Sequence, residues 1–199
     1  CGVTFLLAQL ARQRGRRLED RWKSAIGRSH SAKLLSYDDP TLPAATKARY
    51  HAYLSSHGVV LPTVQQERRD AAKAHDQYLS AVIWLLEHTR QNASKSLLLD
   101  ENIAYGFRRN LRGLKPFALI ILAVALAADV ALVWWGGWTS PKLETGVVLG
   151  GGLALVALIW IFYITKPFVE DASLAYGQRL LAQCELTGAT AYAQVLSGS

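Results

Sequence analysis

Two long apolar runs near the C-terminal end dominate the pattern of hydrophobic and polar positions. Phe117 to Trp135 covers 19 residues with one charge, Asp129, and Val147 to Ile164 covers 18 residues with none. At 1.5 Å per residue each helix would reach about 27–28 Å, close to the hydrocarbon thickness of a bilayer. A buried helix of a soluble core is the alternative, but two such runs only eleven residues apart favour a transmembrane hairpin. Pro116 opens the first run and Pro167 follows the second, where a missing backbone N–H does least harm.

The preceding stretch, residues 12–115, reads as mainly helical. Leu18 to Ile26 predicts a short amphipathic helix with Trp22 as an anchor. Asp38-Asp39-Pro40-Thr41-Leu42-Pro43 is a turn, with Thr41 placed to cap a helix through Lys47 and Tyr53 that His57-Gly58 ends. Thr63 with Gln66 predicts a capping box for a long helix to about Thr89. Leu79, Val82, Ile83 and Leu86 form its expected apolar face. Residues 91–96 read as a loop. A last helix from near Asp100, with Ile103, Phe107, Leu111 and Leu114 on one side, leads towards the first run, with Gly113 and Pro116 as the expected hinge. After Pro167 an amphipathic segment runs to about Glu185, with Leu174, Leu181 and Cys184 placed to pack on the helical domain. Glu170 and Asp171 suit the helix dipole at its start. Gly188 to Ser199 is expected to be a mobile tail.

The fold class that follows is an all-α membrane protein. It has a basic cytoplasmic helical domain (12–115), a two-helix transmembrane hairpin (116–166; spans 117–135 and 147–164), and a C-terminal cytoplasmic amphipathic helix and tail (167–199). Residues 1–11 read as the end of an earlier apolar segment, stopped by Arg12, Arg14, Arg16 and Arg17. Met is absent altogether, so the natural sequence is expected to extend upstream of Cys1. A mature lipoprotein would also begin with Cys, but that reading puts the arginines outside.

Charge sharpens this division. Residues 1–115 carry 19 Lys and Arg against 10 Asp and Glu, whereas 116–199 carry 3 against 5. Arg108, Arg109, Arg112 and Lys115 crowd the entrance to the first span, and Lys166 follows the second. Positive residues at span ends stay in the cytoplasm, so both flanks are expected inside and the Gly136–Gly146 connection outside. Trp134, Trp135 and Trp138 at one end, with Trp160 and Tyr163 at the other, match the two headgroup levels. The four basic residues before the first span are candidates for headgroup or ligand contact. Topology alone also explains them.

Inside the apolar runs the candidate residues are few. Gly146, Gly150 and Ala154 recur every four residues in the second span, a small-residue stripe that admits another helix backbone. Whether that helix is the first span or a neighbouring copy is left open. Asp129 lies near the middle of the first span, with Ala118, Leu122 and Ala125 on its face. An ionised carboxylate there costs about 2.5–3.5 kcal/mol on insertion scales, so it should face protein or water. Three roles are open for it: a protonated, hydrogen-bonded group within a bundle, a ring lining a pore across several copies, or a proton relay.

Conventional chemistry is missing. His30, His51, His57, His75 and His88 do not fall at metal-ligand spacings. Cys1 and Cys184 make neither a disulfide framework nor a thiolate site. There is no phosphate-binding loop, dinucleotide fingerprint or nucleophile elbow. Adjacent Asp38 and Asp39 point in different directions and make a poor acid–base pair. No enzyme activity, metal or cofactor is expected.

The stretch Glu101 to Asn110 (ENIAYGFRRN), followed by Gly113-Leu114-Lys115-Pro116, resembles a group of uncharacterised bacterial membrane proteins. So do Ala11 to Trp22 (ARQRGRRLEDRW) and Asp39 to Leu54 (DPTLPAATKARYHAYL). The resemblance implies a bacterial inner membrane and brings no activity or site residues. The expected function is a self-associating inner-membrane protein, a channel or membrane-permeabilising effector gated by its cytoplasmic domain. The alternative is a non-conducting membrane-anchored adaptor that recruits a cytoplasmic partner. Expected partners are membrane lipids, further copies of the chain, and a cytoplasmic protein or nucleotide. The arginine clusters give no strong nucleic-acid signal.

Overall fold

The computed structural model describes residues 2–22, 25–90, 96–136 and 140–197. Helix makes up 88% of it, and no strand occurs among the described residues. In chain order the helices are α1 (Gly2–Trp22), α2 (Gly27–Leu35), α3 (Ala44–Ser56), α4 (Val64–Arg69), α5 (Ala71–Arg90), α6 (Ser96–Trp135), α7 (Ser140–Leu158) and α8 (Lys166–Ser197). A π-helical turn, Ile159–Tyr163, follows α7. Cys1, Trp138 and most of the predicted 91–96 loop lie outside the described residues. The chain forms two compact units, Cys1–Leu18 with Gly106–Val169, and Glu19–Tyr105 with Glu170–Ser199. These boundaries differ from the sequence-drawn ones at 11/12, 115/116 and 166/167.

The unit of Glu19–Tyr105 and Glu170–Ser199 is a helical body. Its core holds Ile26, Leu34, Leu35, Leu54, Tyr78, Val82, Leu85, Leu180 and Leu181, each 1% exposed or less. Each such side chain contributes about 1.5–3 kcal/mol by leaving water. Gly27 has a φ of 71° and sits where a Cβ would lie 2.0 Å from Glu19 Oε1 and 3.0 Å from the Tyr105 hydroxyl. Only glycine suits that backbone and that space. The Gly27 N–H donates to the buried Ser173 hydroxyl at 2.8 Å, and Tyr105 donates to Glu19 at 2.9 Å.

Several local expectations are met here and others shift. His57 ends α3, and Gly58 follows with a φ of 77°. The Thr63–Gln66 capping box forms in both directions. The predicted long helix is instead two, because Asp70 leaves helical geometry (φ −149°, ψ 86°) and caps α5 through Lys73 N–H. Thr41 does not cap α3; it stays in the turn, its N–H held by Asp39, and Pro43 takes the cap position. Leu18–Ile26 is not a helix of its own: α1 runs unbroken from Gly2 to Trp22. The buried face of α5 is Ala74, Tyr78, Ala81, Val82 and Leu85, which leaves Ile83 exposed. Leu181 and Cys184 pack as expected, but α8 stays helical to Ser197 rather than giving way at Gly188.

The other unit holds the two apolar helices. α6 passes through Gly113 and Pro116 as one 40-residue helix, so the expected hinge produces no break. The second helix begins at Ser140, well before Val147. Leu98–Trp135 and Leu143–Tyr163 are long and apolar enough to cross a membrane, and only 6% of the most apolar window of either is buried. That exposure separates them from the core helices of a soluble domain, whose apolar windows are covered.

Candidate functional site

Asp129 is the one charge in the apolar part of α6, and it turns inward, 9% exposed. The residues a turn or more before it on the same face, Ala118, Leu122 and Ala125, are half-buried. Its partner surface is the glycine stripe of α7. A Cβ on Gly150 would lie 2.8 Å from Asp129 Oδ2, and one on Gly146 would lie 2.3 Å from Val133 Cγ2 and 3.8 Å from Asp129 Oδ1. The two helices therefore run antiparallel with 129 beside 150 and 133 beside 146. Glycine at both positions lets the carboxylate rest against the α7 backbone.

Ala154, the third member of the stripe, is exposed, and the half-buried positions beyond Gly150 are Leu153 and Ala157. Four residues turn a helix by about 40° past a full revolution, so a strict four-residue repeat drifts off the contact line. A step of seven falls about 20° short and one of eleven about 20° past, which keeps 153 and 157 on it.

The basic residues before the first apolar run are drawn into the structure of their own unit. Lys115 donates to the carbonyls of Ile161 (2.8 Å) and Ile164 (3.0 Å). The π-helical turn frees those groups from the regular helical ladder, and the Lys115 ammonium satisfies them. Arg108 lies over the Phe168 ring at 4.7 Å and donates to the Phe168 carbonyl at 3.2 Å. Arg109 and Arg112 are half-buried, with their Nε atoms shut off from solvent. Gly113 meets α1 backbone to backbone: a Cβ there would lie 2.9 Å from Gly15 N and 3.0 Å from both the carbonyl carbon and the Cβ of Arg14. Arg14 stacks on the Phe117 ring at 4.7 Å.

Two further constellations had no signal in sequence spacing. In one, Glu67 accepts from Ser36, from the Tyr37 N–H (3.0 Å) and from the Tyr78 hydroxyl (2.8 Å). Burial acts to raise the Glu67 pKa, and these hydrogen bonds outweigh it and hold the pKa low. Tyr78 is pushed up, by burial first and by Glu67 second. Alongside, Lys47 donates to the carbonyls of Ser36 and Asp39, and His51 donates to Leu35 O at 2.8 Å while meeting the Tyr37 hydroxyl at 3.0 Å. In the other, His57, Trp84 and His88 gather at a helix end, with Trp84 and His88 stacked at 4.7 Å. His57 donates from Nδ1 to Tyr53 O at 2.8 Å. His57 was legible as a helix stop, but its meeting with Trp84 and His88 depends on how α3 and α5 fold together. No group of three or more His, Cys, Asp or Glu able to hold a metal occurs among the described residues.

Comparison with protein-family models, with curated proteins and with solved structures finds no match for this chain.

Proposed function

We propose that this chain is a non-enzymatic, membrane-anchored scaffold of a bacterial inner membrane. In this reading α6 and α7 form the anchoring hairpin, both flanks lie on the cytoplasmic side, and the helical body recruits a cytoplasmic partner. The observation that carries it is the seat of Asp129. Its carboxylate lies inside the hairpin against Gly146 and Gly150, while the outward surfaces of both helices are apolar and exposed. A hairpin that keeps the one charge of its apolar runs on its inner seam is suited to lipid all round or to packing against further copies through apolar contacts. A ring of Asp129 side chains around a shared aqueous axis would need the carboxylate to leave that seam.

Conduction is the second reading, and one observation favours it. Among the described residues no hydrogen bond or ion pair reaches the Asp129 carboxylate, which leaves it open to a passing cation. The test is ion flux through vesicles reconstituted with purified protein, together with the mass of the particle in nanodiscs. The scaffold reading expects no flux above protein-free vesicles, for the unaltered chain and for Asp129→Asn alike. A ring-sized particle with flux that Asp129→Asn abolishes would overturn it in favour of the channel. Exchange of the hairpin for an unrelated two-span anchor is expected to leave a scaffold functional.

A further inference from the structure

His57 and His88 stand 31 residues apart in the chain, yet their ring centroids lie 5.8 Å apart in the fold. His57 closes α3, and His88 belongs to the last turn of α5. Both lie in the helical body, so nothing about this pair depends on the membrane reading. The other histidines spend ring nitrogens on internal partners: His30 on Ser173, His75 on Ser29, and His51 on both Tyr37 and Leu35. His57 donates from Nδ1 to the Tyr53 carbonyl, so its neutral ring carries the lone pair on Nε2. The Ser56 hydroxyl lies beside the same Nδ1 at 3.3 Å and leaves Nε2 free. Among the described residues no hydrogen bond reaches either ring nitrogen of His88. A lone pair on nitrogen lies in the ring plane, so stacking on Trp84 at 4.7 Å does not occupy it.

The spacing of the two rings suits a shared ion. A bond of about 2.0–2.1 Å from nitrogen to metal, plus a ring radius of about 1.2 Å, puts each centroid about 3.2 Å from the ion. At the tetrahedral angle two such rings stand about 5.3 Å apart, and about 6.4 Å when the angle opens fully. The observed 5.8 Å falls between these limits without moving α3 against α5. A metal-bound imidazole is held in its tautomer by a hydrogen bond from the other ring nitrogen, as Tyr53 O provides for His57. His57 is exposed, and a Cβ on the next residue, Gly58, would meet nothing within 4 Å. Water therefore has room to fill the remaining coordination positions. Glu87, next to His88 in the chain, already has an interaction within the protein and is not required as a ligand. Neutral imidazole suits late first-row divalent ions, whereas magnesium and calcium take oxygen.

We propose that His57 and His88 form a two-imidazole site for a late first-row divalent cation, which ties the end of α3 to α5. Zinc is the probe. Full-length protein carrying Cys1→Ser, to remove a competing thiol, is purified without a histidine tag, stripped with chelator and titrated with Zn²⁺ by calorimetry. The titration is run at about pH 7.5, where an ordinary imidazole is mostly neutral. Saturable binding of one ion per chain is expected. His57→Gln and His88→Gln should each weaken it about tenfold or more, and His75→Gln should leave it unchanged. Zn²⁺ should also raise the thermal midpoint of this protein and not that of the double variant His57→Gln, His88→Gln. A readout free of histidine substitutions is carbethoxylation by diethyl pyrocarbonate with peptide mass mapping. Zn²⁺ should protect His57 and His88 together and leave the labelling of the other histidines as it was. Absence of saturable binding, several equivalent ions per chain, or binding that either glutamine substitution leaves intact would overturn the site. So would protection spread over all five histidines.

Discussion

The close approach of α1 to α6 makes one substitution act with opposite signs at two positions of the same helix. Replacing glycine by alanine in a helix interior gains about 0.8–1.0 kcal/mol, because the unfolded chain loses backbone freedom. At Gly106 the added Cβ meets nothing within 4 Å, so that gain should appear undiminished. At Gly113 the same atom would lie 2.9 Å from Gly15 N and 3.0 Å from two Arg14 atoms, two of the three being backbone. A side-chain tip can swing aside, but a helix backbone must move as a whole. Overpacking of that kind costs about 1–3 kcal/mol. Gly106→Ala should therefore stabilise, while Gly113→Ala should lie between neutral and clearly destabilising. The two variants are expected to differ by about 1–3 kcal/mol, or roughly 5 °C in midpoint for a chain of this size. Thermal unfolding of the solubilised protein followed by tryptophan fluorescence measures both. If Gly113→Ala proves as stabilising as Gly106→Ala, the helices do not touch at Gly15.

Other outcomes follow from the helical body. Tyr78→Phe removes a buried hydroxyl that donates to the Glu67 carboxylate, and it is expected to cost about 1.5–3 kcal/mol in chemical denaturation with an unchanged slope; a loss below about 0.5 kcal/mol would argue against that bond. Stability should fall with acid: burial lowers the pKa of His30 and His51 in the folded state, so the unfolded chain binds more protons below about pH 6.5. Glu67, also lowered, adds a loss as pH drops through its unfolded value near 4.5 and then through its folded one. A denaturation midpoint that stays flat from pH 7 to pH 4 would contradict both environments. Burial pushes the Cys184 thiol up to about 12, so in a Cys1→Ser background it should resist maleimide at pH 8 and label on unfolding. Rapid labelling of the native protein would show that α8 is not docked.

Local signals in the sequence were enough where a feature depends on neighbours in the chain. The capping box at Thr63 and Gln66 and the stop at His57-Gly58 arise from residues within about one helical turn, and the two apolar runs from uninterrupted stretches of 19 and 18 residues. Backbone hydrogen bonds and local composition are enough to specify them. An aspartate in a helical pattern is compatible with both continuation and a cap, and in the fold Asp70 caps α5. Pro116 gave the reverse error. A proline predicts interruption, yet the surrounding turns keep α6 continuous and absorb one lost hydrogen bond.

What the sequence by itself determined is thus the helical class, the presence of two helices apolar enough to span a membrane, and the inventory of charges available to them. The tertiary structure decided where those charges point. Asp129 could have faced lipid, a neighbouring copy or the second apolar helix, and only the register of α6 on α7 sets it against Gly150. Gly113 read as a hinge in one dimension, but in three it is the point where α1 touches α6. Glu67, Ser36, Tyr37 and Tyr78 converge from separate elements for the same reason. Most buried polar groups find partners, and here the chain supplies them from wherever folding brings donors within about 3 Å. Pairwise proximity of that kind has no period or spacing, so it becomes visible only when the helices have packed.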